Sequence, residues 1–284
     1  AETVKPDLLL ATDPDCDRVG IAVKEGDSYT LLTGNEVGCL LLDYLLSCKA
    51  SAGTLPDNPV VVKTIVTSDL AARIAKKYGC ELRNVLTGFK YIGEQIGRLE
   101  KEGAPERYIL GFEESYGYLA GTYVRDKDAV VASMLICEMA AYYKEQGKDL
   151  LQKLNDLYAE HGVYRHLLVN AQFEGEQGMA TMQRIMDQLR EQPPKNLSGR
   201  KVVAAADYLR SVMTDIVHSR QIRIDLPASH VLSFSLEGGA SIIVRPSGTE
   251  PKIKAYVTAT GATVAEADAM AADLRKTAEE LLKG

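Results

Sequence analysis

The sequence has no excess of positive charge and no long hydrophobic run. Lysine and arginine total 33 against 39 aspartates and glutamates, a formal net charge of −6, which argues against broad nucleic-acid binding. The longest apolar runs are too short to span a bilayer. The opening stretch "AETVKPDLLL" has no basic segment leading into an apolar one, so it is not a secretory signal. The sequence therefore predicts neither a nucleic-acid partner nor a membrane partner.

Cysteine is scarce, and its spacing shows no paired pattern. The five cysteines are Cys16, Cys39, Cys48, Cys80 and Cys137. Their number is odd and no CxxC pair occurs, which argues against a disulfide framework or a zinc site. This usage predicts a reducing, cytoplasmic location.

What the sequence does contain is the alternation of an α/β protein. Its 284 residues, 46% hydrophobic and 25% charged, are enough for two soluble globular domains. Over 34–150, short apolar runs alternate with helical patterns and predict a mixed, mostly parallel α/β sheet domain. Consecutive strands with hairpin-like turns predict an α+β domain over 165–284. Residues 1–33 open on a strand of a type that normally lies between partners, so they are predicted to end a preceding domain.

Three aspartates occupy alternate positions in "DPDCDR", between two apolar runs. Carboxylate oxygens are the ligands that Mg²⁺ prefers, and alternate spacing in an extended loop can direct Asp13, Asp15 and Asp17 at one point. A calcium-binding EF-hand would need Gly and Glu where Arg18 and Lys24 stand, so that interpretation fails. A plain polar turn remains the alternative. Arg18 could neutralise the cluster or hold a phosphate beside the metal.

Two further polar segments lie in the first half of the chain, one after an apolar strand and one just before a helix. In "GFEESYGYL", Glu113 and Ser115 could together bind neighbouring sugar hydroxyls. The alternative is a helix N-terminus whose dipole favours Glu113 and Glu114. In "YVRDKDAV", Lys127 could transfer a proton or bind phosphate, although a solvated charge run would give the same pattern.

A third polar segment lies near the end of the chain, in "VRPSGTEPKIKAY". Arg245, Ser247, Gly248 and Thr249 offer a guanidinium, two hydroxyls and a turn with free backbone N–H groups, which suits a phosphate. The pattern is not a Walker A loop, which needs GxxxxGK[ST]. A β-turn initiated by Pro246 is the alternative.

Taken together, these motifs make the sequence resemble the α-D-phosphohexomutases, the phosphoglucomutase/phosphomannomutase family. The segments that carry the resemblance are "DPDCDR", "TGFKYIG", "GFEESYGY", "RDKDA" and "RPSGTEPKIKAY". The resemblance implies four domains around a cleft, of which residues 1–33 end the second, 34–150 form the third and 165–284 form the fourth. It also implies Mg²⁺ as cofactor and phosphoryl exchange between a phosphoserine and hexose phosphates, through glucose 1,6-bisphosphate as intermediate and activator.

The resemblance also assigns roles to individual positions. It implies metal ligands at Asp13, Asp15 and Asp17, an arginine facing the phosphoserine at Arg18, and an acid/base group at Lys127. It implies sugar contacts at Glu113, Ser115, Thr87, Gly88 and Lys90, and phosphate contacts at Arg245, Ser247, Gly248 and Thr249.

The sequence departs from the family in two places. The family's serine loop, of the TASHNP type, is absent, and the Ser229-His230 pair in "PASHVLSF" lacks the Asn-Pro that should follow. The chain is therefore expected to be a C-terminal fragment that lacks N-terminal domains of the same polypeptide, and to be inactive alone. Weak Mg²⁺ binding is expected for the same reason. Lys254 stands where many relatives carry Arg, which puts a direct phosphate contact from it in doubt.

The preferred hexose and the reaction class leave alternatives open. "FEES" in place of "GEMS" favours glucose phosphate over mannose phosphate as the substrate. One rival function is a Mg²⁺-dependent phosphohydrolase with an aspartate nucleophile, which "LLLATDPD" superficially fits. A second is a non-catalytic module that binds sugar phosphates.

Overall fold

The computed structural model describes residues 3–174, 177–248 and 250–283. Between His161 and Gly162 the chain divides into two compact units. The predicted fold class, a mixed α/β domain followed by an α+β domain, is confirmed. The predicted separation of residues 1–33 from 34–150 stays a prediction.

The first unit alternates strands and helices after an initial antiparallel region. Its strands are β1 (Leu8–Thr12), β2 (Val19–Glu25), β3 (Ser28–Leu32), β4 (Val60–Thr64), β5 (Glu81–Val85), β6 (Tyr108–Phe112) and β7 (Tyr118–Leu119). Its helices are α1 (Gly34–Ser51), α2 (Leu70–Lys77), α3 (Phe89–Lys101), α4 (Ala129–Glu145) and α5 (Leu150–His161).

Two sheets organise the described part of this unit. β1, β2 and β3 form an antiparallel sheet in that order. The other sheet has the order β5-β4-β6-β7, in which β4 pairs in parallel with β5 and β6, while β7 is antiparallel to β6. Every residue of β4 and β6 is buried, as expected for parallel strands covered on both faces. The loops that follow β4 and β6 therefore leave the same edge of the sheet.

Capping residues fix where two helices of the first unit begin. At α1 the Glu36 N–H donates to Thr33 Oγ1 at 3.3 Å, and the Thr33 N–H donates to Glu36 Oε2 at 2.8 Å, a reciprocal cap worth about 1 kcal/mol. At α4 the Asp128 carboxylate accepts the N–H groups of Val130 and Val131. Because α4 starts there, the preceding "RDK" segment is held at the helix entrance.

The core of the parallel sheet is packed by α3. Val60 and Val62 of β4 lie against Ile92, Ile96 and Leu99 of α3. Burying each such side chain stabilises the fold by roughly 1.5–3 kcal/mol.

The second unit, over its described residues, is an antiparallel sheet with two α-helices. Its strands are β8 (Val163–Gln172), β9 (Asn196–Leu197), β10 (Arg200–Asp207), β11 (Val212–Asp215), β12 (Arg220–Arg223), β13 (Leu232–Leu236), β14 (Ser241–Pro246) and β15 (Lys252–Gly261). Its helices are α6 (Gly178–Glu191) and α7 (Val264–Leu281). Within the described residues the strand order is β12-β11-β10-β13-β14-β15-β8, with β9 on β10. Side chains of α6 and α7 pack on one face of this sheet.

None of the helices in the described ranges has the length and apolar character that crossing a membrane requires.

Candidate functional site

The three aspartates of the loop between β1 and β2 converge. One carboxylate oxygen from each of Asp13, Asp15 and Asp17 lies within 4.8 Å of the other two. Asp13 also shapes the loop, because its Oδ1 accepts the N–H of Asp17 at 3.1 Å and that of Arg18 at 3.0 Å. The Arg18 N–H is the main reason that the pKa of Asp13 lies below its usual value. Cys16 completes the tight turn with a φ of +57°.

The donor set suits a hard dication. Three carboxylates supply oxygen ligands, and a Mg²⁺ ion bound by them could keep its remaining octahedral positions for water or phosphate oxygens. Oδ1 of Asp17 is buried and has no hydrogen-bond partner among the residues that the structure describes. A buried acceptor without a partner costs free energy, so a cation at this point would satisfy it. The residues present therefore fit the predicted Mg²⁺.

Two cations face the aspartate cluster. Lys127 Nζ lies 2.9 Å from Asp17 Oδ2 and 2.8 Å from Asp126 Oδ1. Arg18 is more distant, with NH1 3.9 Å from Asp13 and Nε 4.0 Å from Asp17. Burial lowers the pKa of Lys127, but hydrogen bonds with Asp126 and Asp17 outweigh it and leave this pKa above its usual value. Lys127 is therefore an ammonium at neutral pH.

Backbone contacts join the metal loop to the loop that follows β6. Arg18 and Gly117 form an isolated antiparallel bridge, and the Val19 N–H donates to the Tyr116 carbonyl at 3.2 Å. The Ala129 N–H donates to the Cys16 carbonyl at 3.2 Å, which ties the metal loop to the start of α4 as well. Main-chain hydrogen bonds thus hold the metal loop against two segments that lie far from it in sequence.

Gly117 is required by the close approach of a side chain. A Cβ at this position would overlap Cδ of Lys127. Because Gly117 has no side chain, the side chain of Lys127 can pass beside it and reach Asp17.

Glu113 is the buried carboxylate of the loop after β6. Only 7% of the residue is exposed. Its Oε1 accepts the Gly88 N–H at 3.2 Å, and its Oε2 accepts the Ser115 hydroxyl at 3.3 Å. Burial, followed by the charge of Glu114, raises the pKa of Glu113. A desolvated carboxylate beside a hydroxyl is a strong acceptor for hydroxyl protons of a sugar.

The predicted sugar-adjacent segment before α3 lies partly on this site. Gly88 contributes the N–H that Glu113 accepts, and its φ of +119° is one that glycine adopts without strain. Thr87 beside it is half-buried. Lys90 is exposed, and its Nζ lies 4.9 Å from the centre of the Tyr91 ring. The structure thus brings Gly88 to Glu113. The ammonium group of Lys90 instead contacts the ring of Tyr91.

The predicted phosphate loop connects β14 to β15 in the second unit. Arg245 lies directly opposite Lys254 in the β14–β15 ladder. The Ser247 N–H donates to the Lys252 carbonyl at 2.7 Å, and the Glu250 N–H donates to Ser247 Oγ at 3.3 Å. Gly248 lies within this turn, and Thr249 falls outside the described residues.

Two positive charges lie opposite each other beside the phosphate loop. Arg245 and Lys254 form no ion pair with any of the described residues, although like charges directly opposite in a sheet repel one another. An anion bound at the loop would relieve this repulsion.

Some residues that shape the first unit's site were not predicted from the sequence. Lys63 of β4 is 1% exposed, and its Nζ donates to the Thr67 carbonyl at 2.9 Å and lies 3.0 Å from Asp69 Oδ1. The signal was available, because a lysine inside the apolar run "PVVVKTIV" is expensive to bury without partners. Asp126, the second partner of Lys127, gave no comparable signal, because in the sequence it is one charged residue within a charged stretch.

The chain matches two family models. Residues 33–161 match the phosphoglucomutase/phosphomannomutase alpha/beta/alpha domain III, and residues 168–277 match the phosphoglucomutase/phosphomannomutase C-terminal domain. The first range lies within the first unit and the second range within the second unit.

Curated proteins and solved structures agree with these matches. A phosphoglucomutase of Staphylococcus epidermidis is 40% identical over 260 residues, which is 91% of this chain and 46% of that protein. A phosphoglucomutase of Staphylococcus aureus is 38% identical over 89% of this chain and 44% of its own length. The chain therefore spans about half the length of these curated relatives. The crystal structure of parafusin from Paramecium shares the fold, with a TM-score of 0.69 and 19% identity over 98% of this chain and 45% of that one.

Proposed function

Because the chain belongs to the phosphoglucomutase/phosphomannomutase family, we propose that the whole protein interconverts hexose 1-phosphates and hexose 6-phosphates, with glucose favoured over mannose. The reaction would use a phosphoserine and pass through a hexose 1,6-bisphosphate. The 284-residue chain has no serine loop of the family's type. We therefore expect it to bind sugar phosphates without turning them over.

One observation carries the proposal. The cluster of Asp13, Asp15 and Asp17 and the loop of Glu113 and Ser115 belong to one unit and are joined through the backbone of Arg18 and Gly117. Phosphoryl transfer depends on positioning and charge neutralisation more than on a strong nucleophile. A rigid link between a cation site and a site for sugar hydroxyls supports that kind of chemistry.

The aspartates would hold Mg²⁺, which supplies charge that makes a phosphoryl group easier to attack. Arg18 has a half-exposed side chain, so its guanidinium is accessible to a phosphate for a bidentate contact. Lys127 starts as an ammonium and would donate a proton to the ester oxygen as its bond to phosphorus breaks, so that this oxygen leaves as a hydroxyl. Its position between Asp17 and Asp126 favours the role of acid at the start of a cycle.

The sugar and its second phosphate would be bound by different loops. Glu113 and Ser115 would accept and donate hydrogen bonds to neighbouring hydroxyls of the hexose, which fixes the ring. In the second unit, Arg245 and Ser247 would bind a phosphate that is not being transferred. A loop that accepts the phosphate of either end allows one sugar to bind in two orientations.

Calorimetric titration of the chain with glucose 1-phosphate in the presence of Mg²⁺ tests this proposal. We expect saturable binding that Arg245→Ala weakens by roughly ten- to a hundredfold, because a charge-assisted bidentate contact is lost. Arg275→Ala is the matched control, since Arg275 is an exposed arginine of α7 in the same unit. Absence of binding, or equal loss in both variants, would contradict the proposal.

A second measurement separates the rival functions. The mutase assay on this chain alone should show no turnover, and measurable turnover would overturn the expected need for an external phosphoserine. A phosphohydrolase would instead form an aspartyl-phosphate, most directly on Asp13. Its Oδ1 already accepts two backbone N–H groups, so we expect no such adduct with a phosphoryl donor. Trapping one by mass spectrometry would favour the hydrolase.

A further inference from the structure

Adjacent carboxylates in the loop after β6 point to different partners. Glu113 accepts the N–H of Gly88 and the hydroxyl of Ser115. The side chain of Glu114 turns the other way, toward the loop that follows β4. Glu113 and Glu114 lie next to each other where the chain turns after β6, so a hydrogen bond that holds the side chain of one also restrains the backbone of the other.

Two buried threonine hydroxyls are partners of Glu114. Its Oε2 lies 3.4 Å from Thr64 Oγ1 and 3.4 Å from Thr67 Oγ1, and these hydroxyls lie 2.7 Å apart. Both threonines are almost fully buried. Each hydroxyl has one proton. When one threonine donates to the other, the second proton therefore points at Glu114, which serves as the acceptor that the buried pair needs.

Hydrogen bonds within the loop after β4 hold the threonine pair in place. The Thr67 N–H donates to the Thr64 carbonyl at 3.1 Å, which closes a turn at the end of β4. The buried ammonium of Lys63 donates to the carbonyls of Thr67 and Thr64 at 2.9 and 3.3 Å. Asp69 balances this ammonium at 3.0 Å. The hydroxyls are therefore fixed points and not mobile surface groups.

The opposite side of the loop is closed by backbone. A Cβ on Gly34, the first residue of α1, would overlap the carbonyl oxygen of Glu114, and it would lie 2.7 Å from the Tyr116 nitrogen. The chain around Glu114 thus passes between α1 and the loop after β4. With the backbone confined on one side, a hydrogen bond on the other side determines its position.

We propose that Thr64, Thr67 and Glu114 form a latch that positions Glu113 and Ser115 for sugar binding. The proposal rests on the function proposed above. Glu114 is a positioning residue here, because it acts through the loop and not on the sugar. An acceptor at this position is needed because a buried hydroxyl without one loses a hydrogen bond that it makes in water.

Titration of the 284-residue chain with glucose 1-phosphate and Mg²⁺ tests the latch. Glu114→Met keeps the length of the side chain but removes the acceptor, and we expect affinity to fall about tenfold, the size of one lost buried hydrogen bond. Glu114→Gln keeps an amide oxygen in the same place and should stay within about threefold. Glu145→Met, on the exposed end of α4, is the control for a general loss of charge and should change nothing.

A combined variant adds a test of the mechanism. Thr64→Val with Thr67→Val removes the donors, and adding Glu114→Met to this pair should weaken binding little further, since the same hydrogen bond is already gone. If Glu114→Gln falls as far as Glu114→Met, or if the losses are simply additive, hydrogen bonding to the threonines is not the device and the latch is wrong.

A readout without ligand distinguishes failure of the latch from failure of the proposed function. The Gly88 N–H is bonded to Glu113, so its hydrogen exchange, followed by NMR, reports whether Glu113 is in place. Exchange should quicken about tenfold in Glu114→Met and remain slow in Glu114→Gln. If the unaltered chain fails to bind sugar phosphate but this pattern holds, the latch stands and the function fails. Unchanged exchange in Glu114→Met overturns the latch.

Discussion

The ammonium of Lys127 lies 2.9 Å from Oδ2 of Asp17, inside the cluster that is proposed to bind Mg²⁺. One positive charge thus already neutralises part of the site. Lys127 and a metal ion compete for the same carboxylate, and the outcome of that competition can be measured.

Replacing Lys127 with Met should strengthen Mg²⁺ binding. The variant removes the competing charge while it keeps the length of the side chain, and we expect a gain of roughly three- to tenfold, the size of a partly exposed ion pair. Calorimetric titration with MgCl₂ gives the affinity. Lys101→Met, at the exposed end of α3, is the control and should leave affinity unchanged. Weaker binding by Lys127→Met would show that the lysine supports the site instead of competing for it.

Asp13 and Asp15 should differ in what their loss costs. Asp13 accepts two backbone N–H groups of its own loop, whereas Asp15 is exposed. Asp13→Ala should therefore lose Mg²⁺ binding and also unfold at a lower urea concentration, because two backbone donors lose their acceptor. Asp15→Ala should lose Mg²⁺ binding with its urea midpoint nearly unchanged, as is usual for an exposed side chain. Urea unfolding beside metal titration separates the two, and equal stabilities would contradict the assigned loop role.

Short-range patterns were enough to predict much of this molecule. The solid apolar run "NPVVV" predicts a strand covered on both faces, and β4 is one, with every residue buried. Asp13, Asp15 and Asp17 lie close together in one short segment, and a tight turn within that segment, rather than the predicted extended loop, brings their carboxylates together. In such cases the geometry depends on neighbours along the chain, which a single sequence displays.

What the sequence could not supply is contact between distant segments. The bridge between Arg18 and Gly117 joins segments far apart in the chain. Neither segment contains a sequence pattern that predicts contact with the other. The contact of Glu114 with Thr64 exists only because β4 and β6 are neighbours in the sheet. Strand order is a property of the whole fold. The same set of strands is compatible with several orders until packing selects one of them. Lys63 is a different case, because its partners Thr67 and Asp69 lie only a few residues away and a lysine in an apolar strand indicates that partners are needed.

Removing the charge of Glu113 should stabilise the chain while it impairs binding. The pKa of Glu113 is raised by burial and then by Glu114, so folding makes its ionised form less favourable than it is in the unfolded chain. Its stability contribution is therefore greatest at low pH and is lost as pH rises through the raised pKa. Glu113→Gln should unfold at higher urea concentration than the unaltered chain at neutral pH, and this advantage should shrink as the pH is lowered toward the usual pKa of a glutamate.

The same variant should bind glucose 1-phosphate roughly ten- to a hundredfold more weakly, since hydrogen bonds to a charged acceptor are lost. Glu145→Gln, which alters an exposed glutamate of α4, should change neither property. A stability gain that does not vary with pH would show that the charge of Glu113 is not its cause.

Asp215 should make the second unit's stability depend on acidic pH. The His218 backbone N–H donates to Oδ1 of Asp215 at 3.1 Å, and Arg220 Nε donates to Oδ2 of Asp215 at 2.9 Å. The His218 N–H is the main cause that lowers the pKa of Asp215 to about 2. The stability that this ionised carboxylate provides is therefore complete well above the unfolded value of 3.8 and is lost as pH falls through about 2.

Asp215→Asn should melt at a lower temperature than the unaltered chain at neutral pH, and the two should converge as the pH falls toward the lowered pKa. Asp225→Asn, in the same unit, should track the unaltered chain at every pH, and a gap for Asp215→Asn that stays constant with pH would contradict the assigned role of its charge.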